Sequence, residues 1–572
     1  MVGQGWHPRW LSTAGWARGS ATASYAADPR LHRVALGLRW IVVCWVVLFW
    51  RLGYLGLFDD GAHYAQLTRE MLQQGSWFVP LLDGQPFIDK PVLFHWLQSL
   101  SFALFGESEL GARLPSALGG VGLFLITRWL SAQLWDRAMG ERAWLMLATI
   151  PATFALGRVG YLDMVFTLFT FGAVACLLVA AVRARPRLVH AGTALLALAV
   201  MTKGPVAIAL VAALFAVAWA AGGASRRAIR SLDWRKLALG VVVGSAPWFA
   251  WMYWQFGDDF VRGYLLDGHL FYLAPRASAS SARPGFYVQM FMTAFFPWSL
   301  VAVGYGLDTL LRLRQGHKPP VEEVLLWTWI LAVIALFTAA QFRVDRYIYP
   351  AAPACCMLAA RGWVAARTAA GPREFLMTRL SILLFALVLV GSGVALAVAL
   401  PGLDLRATGA AFLLPAWLLL GGLVVAVLMI ARRFAPPLVV RMPLFVMLAV
   451  YATIVAVGFP VIDRSRPVRQ VARWLHEQAP NAPVGVYRLE RWHTALRFYA
   501  DQPIHPLSDD EEVKRFLSQK GGSIVMRRRE YLAMRERGLP GRVLMSVPVV
   551  RGTEGRGIRR QVWGEVYVVG GD

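Results

Sequence analysis

Apolar runs long enough to cross a lipid bilayer recur along this chain from Val34 to about Pro460. A transmembrane helix needs about 20 predominantly apolar residues to span the hydrocarbon core. The chain is also poor in charge, since 16% of its 572 residues are Asp, Glu, Lys or Arg, against roughly 25% in an average soluble domain. These runs predict an all-α polytopic membrane protein.

About thirteen helices of near-spanning length are predicted. Several of them are short or contain internal Gly and Pro, so merging two neighbours would invert the topology of everything that follows. The predicted spans are 34–52, 109–132, 143–157, 162–182, 188–203, 204–221, 237–256, 286–311, 324–340, 347–361, 379–400, 409–430 and 442–460.

The basic residues check this count. With residues 1–33 as a cytoplasmic tail before an uncleaved first span, the basic loops fall on one side, as cytoplasmic loops should. Those loops are 183–187, 226–236, 312–318, 361–379 and 432–441. The net charge of +24 is therefore explained by topology, and a nucleic-acid partner is excluded because no single soluble face concentrates the basic residues.

The chain changes character after Pro460. Charged helix-period stretches at 468–478, 508–518 and 527–537 alternate with β-like runs. We predict three parts: a cytoplasmic tail (1–33), a transmembrane domain (34–460) whose first outside loop is 53–108, and a soluble α/β domain (461–572) on the non-cytoplasmic side.

The first outside loop is dense in polar and aromatic residues. Asp59 can cap a helix that runs to about Gln74, which would place Asp60, His63 and Tyr64 on one face. Such a helix would present a carboxylate to a cavity at the membrane surface. The alternative is that both aspartates are only N-terminal caps stabilised by the helix dipole.

Further ionisable residues lie on the same predicted side. Lys90, held between Asp89 and Pro91, suits a lipid phosphate, although this short motif taken alone favours an interfacial lysine paired with Asp89. Asp163 lies where a span re-enters the membrane, and an ionisable residue there is a functional hypothesis, with helix capping as its competitor. The other candidates are His269, Arg343, Arg346 and Tyr347.

Six motifs in order resemble the bacterial polyprenol-phosphate-dependent glycosyltransferases of the GT-C fold. Among these, the chain looks most like the lipid A aminoarabinose transferases, relatives of the protein O-mannosyltransferases. The resemblance runs from about Val34 to Pro460 and extends weakly into the tail. The motifs are Asp59-Asp60-Gly61-Ala62-His63-Tyr64-Ala65, Asp89-Lys90-Pro91, Ala112-Arg113-Leu114-Pro115-Ser116-Ala117-Leu118, Tyr161-Leu162-Asp163, Thr202-Lys203-Gly204-Pro205 and Arg346-Tyr347-Ile348-Tyr349-Pro350.

The resemblance implies roles for individual residues. Asp60 and Asp163 stand for the catalytic carboxylates, and the groups around the donor phosphate are Lys90, Arg346, Tyr347 and His269. Residues that would line the substrate cavity are His63, Tyr64, Asp89 and Lys203. The chain departs from the family pattern at Gly61, where Glu is common, at His63, where Arg is usual, and at Asp89, where many members have Glu.

The function implied is an inverting glycosyl transfer in the bacterial inner membrane, with the active site facing the periplasm. The donor is a sugar on undecaprenyl phosphate, with 4-amino-4-deoxy-L-arabinose as the sugar that the resemblance suggests, and the acceptor is lipid A or another envelope molecule. No cofactor is required, and a divalent cation is compatible with the sequence without being indicated by it. The alternatives are a protein O-mannosyltransferase-like enzyme and a transporter or flippase for a lipid-linked sugar. Against transport, the sequence has no repeat symmetry, and its polar groups cluster in outside loops.

Overall fold

The structure is a computed structural model that describes residues 29–268, 285–340, 343–369, 371, 373–399, 412–430, 438–464, 466–480, 482–519, 521–550 and 563–571. The chain divides into two units, residues 1–43 and 44–572. His269, predicted to lie near the donor phosphate, falls outside the described residues.

Helices account for most of the described chain up to Arg464. They are α1 (Pro29–Cys44), α2 (Asp59–Gln73), α3 (Leu93–Phe105), α4 (Glu109–Leu134), α5 (Arg137–Ala148), α6 (Pro151–Leu156), α7 (Asp163–Val182), α8 (Leu188–Lys203), α9 (Val206–Ala220), α10 (Gly223–Arg230), α11 (Trp234–Phe260), α12 (Phe286–Ala294), α13 (Trp298–Arg314), α14 (Val321–Ala339), α15 (Ala352–Thr368), α16 (Leu376–Ala399), α17 (Leu413–Ile430), α18 (Leu438–Thr453) and α19 (Phe459–Arg464).

Six of the described stretches are long and apolar enough to cross a membrane, or seven if the bent pair α12–α13 is one span. Shorter apolar helices accompany them, including α8 and α9. Within the described residues, each predicted span overlaps a helix, which confirms the predicted all-α polytopic class. Two predicted spans are not straight helices. The segment 143–157 is split into α5 and α6 before Pro151, and α12 and α13 are bent by 114° around Pro297.

The first outside loop is more structured than its sequence suggested. Between α2 and α3 the chain forms a short antiparallel hairpin, β1 (Leu81–Leu82) and β2 (Gln85–Pro86). Residues Leu93–Phe105 form the helix α3, which was not predicted from the sequence. Ser108 then caps α4, since its side chain accepts a hydrogen bond from the Gly111 amide at 3.2 Å.

The C-terminal region is a small α/β fold, as predicted. Its helices are α20 (Val468–Gln478), α21 (Glu490–Ala500), α22 (Asp510–Leu517) and α23 (Arg528–Glu536), and its strands are β3 (Val484–Tyr487), β4 (Ile504–Leu507), β5 (Ser523–Arg527), β6 (Arg542–Val550) and β7 (Trp563–Gly570). The strand order is β4-β3-β5-β7-β6, with β3 parallel to β4 and β5, and β7 antiparallel to β5 and β6. The helix α21 and the strand β4 were not predicted from the sequence.

The C-terminal fold packs directly on α2. Buried apolar residues of both regions, among them Leu57, Ala65, Val471 and Leu496, form one hydrophobic cluster. Ion pairs surround it: Arg497 donates to Glu70 at 2.9 Å and also pairs with Asp83. The tail therefore supports the helix on which Asp60 lies.

Candidate active site

Four charged side chains meet where four helix ends come together. Asp60 lies in the first turn of α2, Asp163 is the first residue of α7, Lys203 is the last residue of α8, and Arg346 lies in a 3-10 turn at Asp345–Ala351 before α15. Their sequence separations reach 286 residues, so only the helix packing unites them. We call Asp60, Asp163, Lys203 and Arg346 the charge cluster.

Asp163 is the centre of the charge cluster. Its Oδ2 accepts a hydrogen bond from Nε of Arg346 at 3.0 Å, and its Oδ1 pairs with the ammonium group of Lys203. Asp163 and Lys203 are almost completely buried, at 4% and 6% exposure. A buried carboxylate is stable only when paired and hydrogen-bonded, and this one balances two cations.

Arg346 joins the two carboxylates, because its Nη2 pairs with Oδ2 of Asp60 while its Nε binds Asp163. Its guanidinium also lies 4.8 Å from the ring centre of Tyr161. Burial disfavours the charged guanidinium, but the attraction of Asp163 and Asp60 outweighs burial and raises its pKa. Arg346 is therefore a permanent cation.

Asp60 is the more accessible carboxylate, with 36% of its side chain exposed against 5% for Asp163. The turn that presents it is tight: Asp59 adopts a left-handed φ of +51° and makes no side-chain cap to α2. The prediction that Asp59 caps this helix is therefore wrong, and Phe58 is the cap residue. The helix itself begins and ends as predicted, within one residue.

Gly61 explains one departure from the family pattern. A Cβ atom at Gly61 would lie 2.2 Å from the carbonyl oxygen of Val159 and 3.5 Å from the Tyr161 ring. The start of α2 thus rests against the backbone that leads to Asp163. A larger residue at this position would push the two carboxylate-bearing segments apart.

Lys90 and His63 lie beside the charge cluster. Lys90 donates to the Asp89 carboxylate at 2.6 Å, and its charge acts on both His63 and Lys203. His63 packs edge-on against Phe87 at a centroid distance of 4.8 Å. Burial lowers the pKa of His63, although the charges of Asp60 and Asp89 oppose that change. His63 therefore offers a neutral ring at neutral pH, unlike the Arg usual in the family.

Two tyrosines complete the surroundings. The Tyr347 ring lies 4.0 Å from the ammonium nitrogen of Lys203, a cation–π contact. Tyr64 is buried against Phe94, at 5.6 Å between ring centroids. Burial, with the nearby charges of Asp163 and Asp60, raises the pKa of Tyr64 far enough to keep it a neutral hydroxyl.

Arg113, inside one of the six motifs, and Arg158, three residues before another, have positioning roles that were not predicted from the sequence. Arg113 donates to the carbonyl oxygens of Leu52, Leu55 and Gly56 at 2.9, 2.6 and 2.9 Å. Arg158 similarly binds the carbonyls of residues 46, 47 and 50. Together they fix the segment that leads into α2. The sequence feature that could have indicated this positioning role is an arginine inside or beside an apolar run.

In the part of the chain that the structure describes, no group of three or more His, Cys, Asp or Glu side chains could hold a metal ion. The charge cluster instead pairs each carboxylate with protein cations. The cluster therefore contains two carboxylates and two cations, and Asp60 is the most exposed of the four side chains.

The same fold occurs in two solved structures. ArnT from Cupriavidus metallidurans bound to undecaprenyl phosphate matches with a TM-score of 0.69 at 19% identity, over 94% of this chain and 98% of that one. The oligosaccharyltransferase of Archaeoglobus fulgidus matches with a TM-score of 0.52 at 13% identity, over 89% of this chain and 71% of that one. The fold defines a polytopic membrane protein of the GT-C type.

Sequence relatives narrow the class. Residues 89–254 match the family model for dolichyl-phosphate-mannose-protein mannosyltransferase. An undecaprenyl phosphate-alpha-4-amino-4-deoxy-L-arabinose arabinosyl transferase of Pectobacterium carotovorum is 29% identical over 358 residues, which is 60% of this chain and 61% of that protein. The chain thus matches about three fifths of that relative's length. These matches confirm the predicted resemblance to the aminoarabinose transferases and their mannosyltransferase relatives.

Proposed function

We propose that this chain is an inverting glycosyltransferase of the bacterial inner membrane. It moves a sugar from undecaprenyl phosphate to lipid A or another periplasm-facing acceptor. The observation that carries the proposal is the charge cluster, in which two cations and one accessible carboxylate meet at helix ends on the predicted outer side. The Pectobacterium relative, by its name, transfers 4-amino-4-deoxy-L-arabinose, and we propose the same sugar here.

The donor phosphate is bound by Lys90, Arg346 and Lys203. During transfer the bond between the anomeric carbon and the phosphate oxygen breaks, and its electron pair stays on the phosphate. Preorganised cations stabilise that developing charge. Lys90 has three N–H donors, two of which face acceptors of Asp89, so one remains for a phosphate oxygen. Tyr347 contributes by holding Lys203 in place, and His269 remains a donor-phosphate candidate from sequence alone.

Asp60 faces the acceptor. An acceptor oxygen forms the new bond to the anomeric carbon on the side opposite the departing phosphate, so one displacement inverts the configuration. If the acceptor is a hydroxyl, Asp60 takes its proton as general base. If the acceptor is a phosphate, no proton moves and Asp60 orients the donor. His63 and Tyr64, neutral groups beside Asp60, line the same space.

Asp163 acts differently from Asp60. Both of its oxygens are engaged by cations and it is buried, so it is a poor candidate for proton transfer. We assign it to the site as the carboxylate that holds Arg346 and Lys203 at the donor phosphate. Its removal would leave Lys203 without its counter-charge and Arg346 paired only with Asp60.

Reconstituted full-length protein tests the proposal. Nanodiscs are supplied with undecaprenyl phosphate bearing a radiolabelled sugar of known anomeric configuration, and with lipid A or an acceptor peptide. Label in lipid A with inverted configuration is expected. Label only in the peptide would favour an O-mannosyltransferase-like function. This is the second candidate, because residues 89–254 match the protein mannosyltransferase family model. In proteoliposomes, donor that crosses the membrane without chemical change would favour transport.

A further inference from the structure

A cavity of about 210 Å³ lies next to the charge cluster, between the segment before α2 and the start of the C-terminal fold. Phe58 and Asp59 line it from one side, and Arg466, Arg469 and Trp492 line it from the other. Asp59 immediately precedes Asp60, so the cavity opens one residue away from the accessible carboxylate. None of the predicted site residues lines it.

The two arginines of this cavity differ in their partners. Arg469 is fully engaged: it pairs with Asp463 at 2.5 Å, with Glu109 at 3.2 Å, and donates to the Tyr54 carbonyl at 2.9 Å. Arg466 makes no salt bridge among the described residues, and its guanidinium lies 3.8 Å from the ring centre of Phe58. Arg469 holds the two regions together, whereas the N–H groups of the Arg466 guanidinium are available to a ligand.

Arg466 is electrostatically linked to the active site. Partial burial lowers the pKa of Arg466, while the nearby Tyr161 and the Asp59 carboxylate oppose that change. Tyr161 is also the residue whose ring lies under Arg346. A group bound at Arg466 would therefore lie near Asp59, the residue before Asp60, and near Tyr161, which contacts Arg346.

The lining suits a phosphorylated sugar. A guanidinium stacked on an aromatic ring binds phosphate through a planar pair of N–H donors. Asp59 can accept hydrogen bonds from sugar hydroxyls, and Trp492 offers an aromatic surface. Since Asp59 carries a negative charge, a bare anion would be bound less well than an anion attached to hydroxyl groups.

We propose that this cavity binds the phosphate-bearing sugar head group of the acceptor, with Arg466 as the phosphate ligand. The inference rests on the proposed function, and it assigns the C-terminal region a share of the acceptor site. The donor phosphate, by contrast, belongs to the charge cluster.

The first test separates acceptor from donor. Arg466→Gln removes the charge, and Arg473→Gln is the matched control because Arg473 is an exposed arginine of the same region, on α20. In nanodiscs with a lipid A acceptor, Arg466→Gln should raise the acceptor KM about 10-fold, as expected for loss of a charged hydrogen bond. The donor KM, and kcat at saturating acceptor, should stay close to wild type. An unchanged acceptor KM, or a raised donor KM instead, would overturn the assignment.

A binding measurement tests the cavity without turnover, so its result can be told apart from a failure of the proposed function. Millimolar glucose 1-phosphate should raise the apparent Tm of the detergent-solubilised wild type and of Arg473→Gln, by mass action on the folded state. It should do so more than inorganic phosphate, and Arg466→Gln should lose most of the increase. An equal Tm increase in Arg466→Gln would show that the sugar phosphate binds elsewhere.

Discussion

Asp60 and Asp163 belong to one charge cluster, yet their substitutions should have different effects on stability. In Asp163→Asn the buried Lys203 and Arg346 lose their shared counter-charge, and breaking a buried ion pair typically costs about 3–5 kcal/mol. In Asp60→Asn one partly exposed pair is weakened, which costs about 0–1 kcal/mol. Both variants should lose transfer, but only Asp163→Asn should also lose stability.

A double variant tests the cause. Asp163→Asn combined with Lys203→Met removes the buried cation that Asp163→Asn leaves unpaired, so it should recover much of the lost stability without recovering transfer. The assay is the apparent Tm in detergent, read beside the transfer rate of the same preparation. If Asp163→Asn melted like the wild type, or if Asp60→Asn melted as low as Asp163→Asn, the division of roles between the two carboxylates would be refuted.

Three further predictions follow from the structure. An alkaline phosphatase fused after Asp572 should be active, because it would lie outside the cytoplasm. A cytoplasm-active fluorescent protein fused after Arg230 should fluoresce. An inactive phosphatase would mean that the predicted number of spans is wrong by one. Gly61→Ala should destabilise the protein by about 1–3 kcal/mol through overpacking against Val159. Gly391→Ala should leave the stability unchanged, because no atom lies within 4 Å of the added Cβ. Equal Tm values for the two variants would contradict this prediction. The folded-state pKa of His63 lies below its unfolded value of 6.5, so its contribution to stability is lost as the pH falls below 6.5. His63→Gln should therefore flatten the fall of Tm with acidification. An unchanged profile of Tm against pH would contradict the lowered pKa of His63.

Much of the architecture could be predicted because it depends on local patterns. Apolar length located the spans, and the period of residues 468–478 and the run Val484–Tyr487 predicted α20 and β3 at their observed bounds. The bends at Pro151 and Pro297 were harder, since proline shows where a helix can break and not by what angle. The helix α3 was not predicted, because its 13 residues are fewer than a membrane span needs.

The site was predictable as a set of residues but not as an arrangement. Asp60, Asp163, Lys203 and Arg346 were all candidates, yet nothing in their spacing shows that one arginine joins both carboxylates. Arg466 was not identified at all, because an arginine at the start of a charged tail resembles any solvated residue. Its position against Phe58 depends on packing between regions about 400 residues apart.

We propose that transfer of a sugar from a polyprenyl phosphate depends on the negative charge of Asp60. The most direct measurement compares initial transfer rates at saturating donor and acceptor for wild type, Asp60→Asn and a control, Asp233→Asn, in one nanodisc preparation. Asp233 caps α11, where asparagine substitutes well, so that variant should keep the wild-type rate. Asp60→Asn should stay folded, and its transfer rate should fall about 10²–10⁴-fold. A folded Asp60→Asn protein that transfers sugar at the wild-type rate would contradict it.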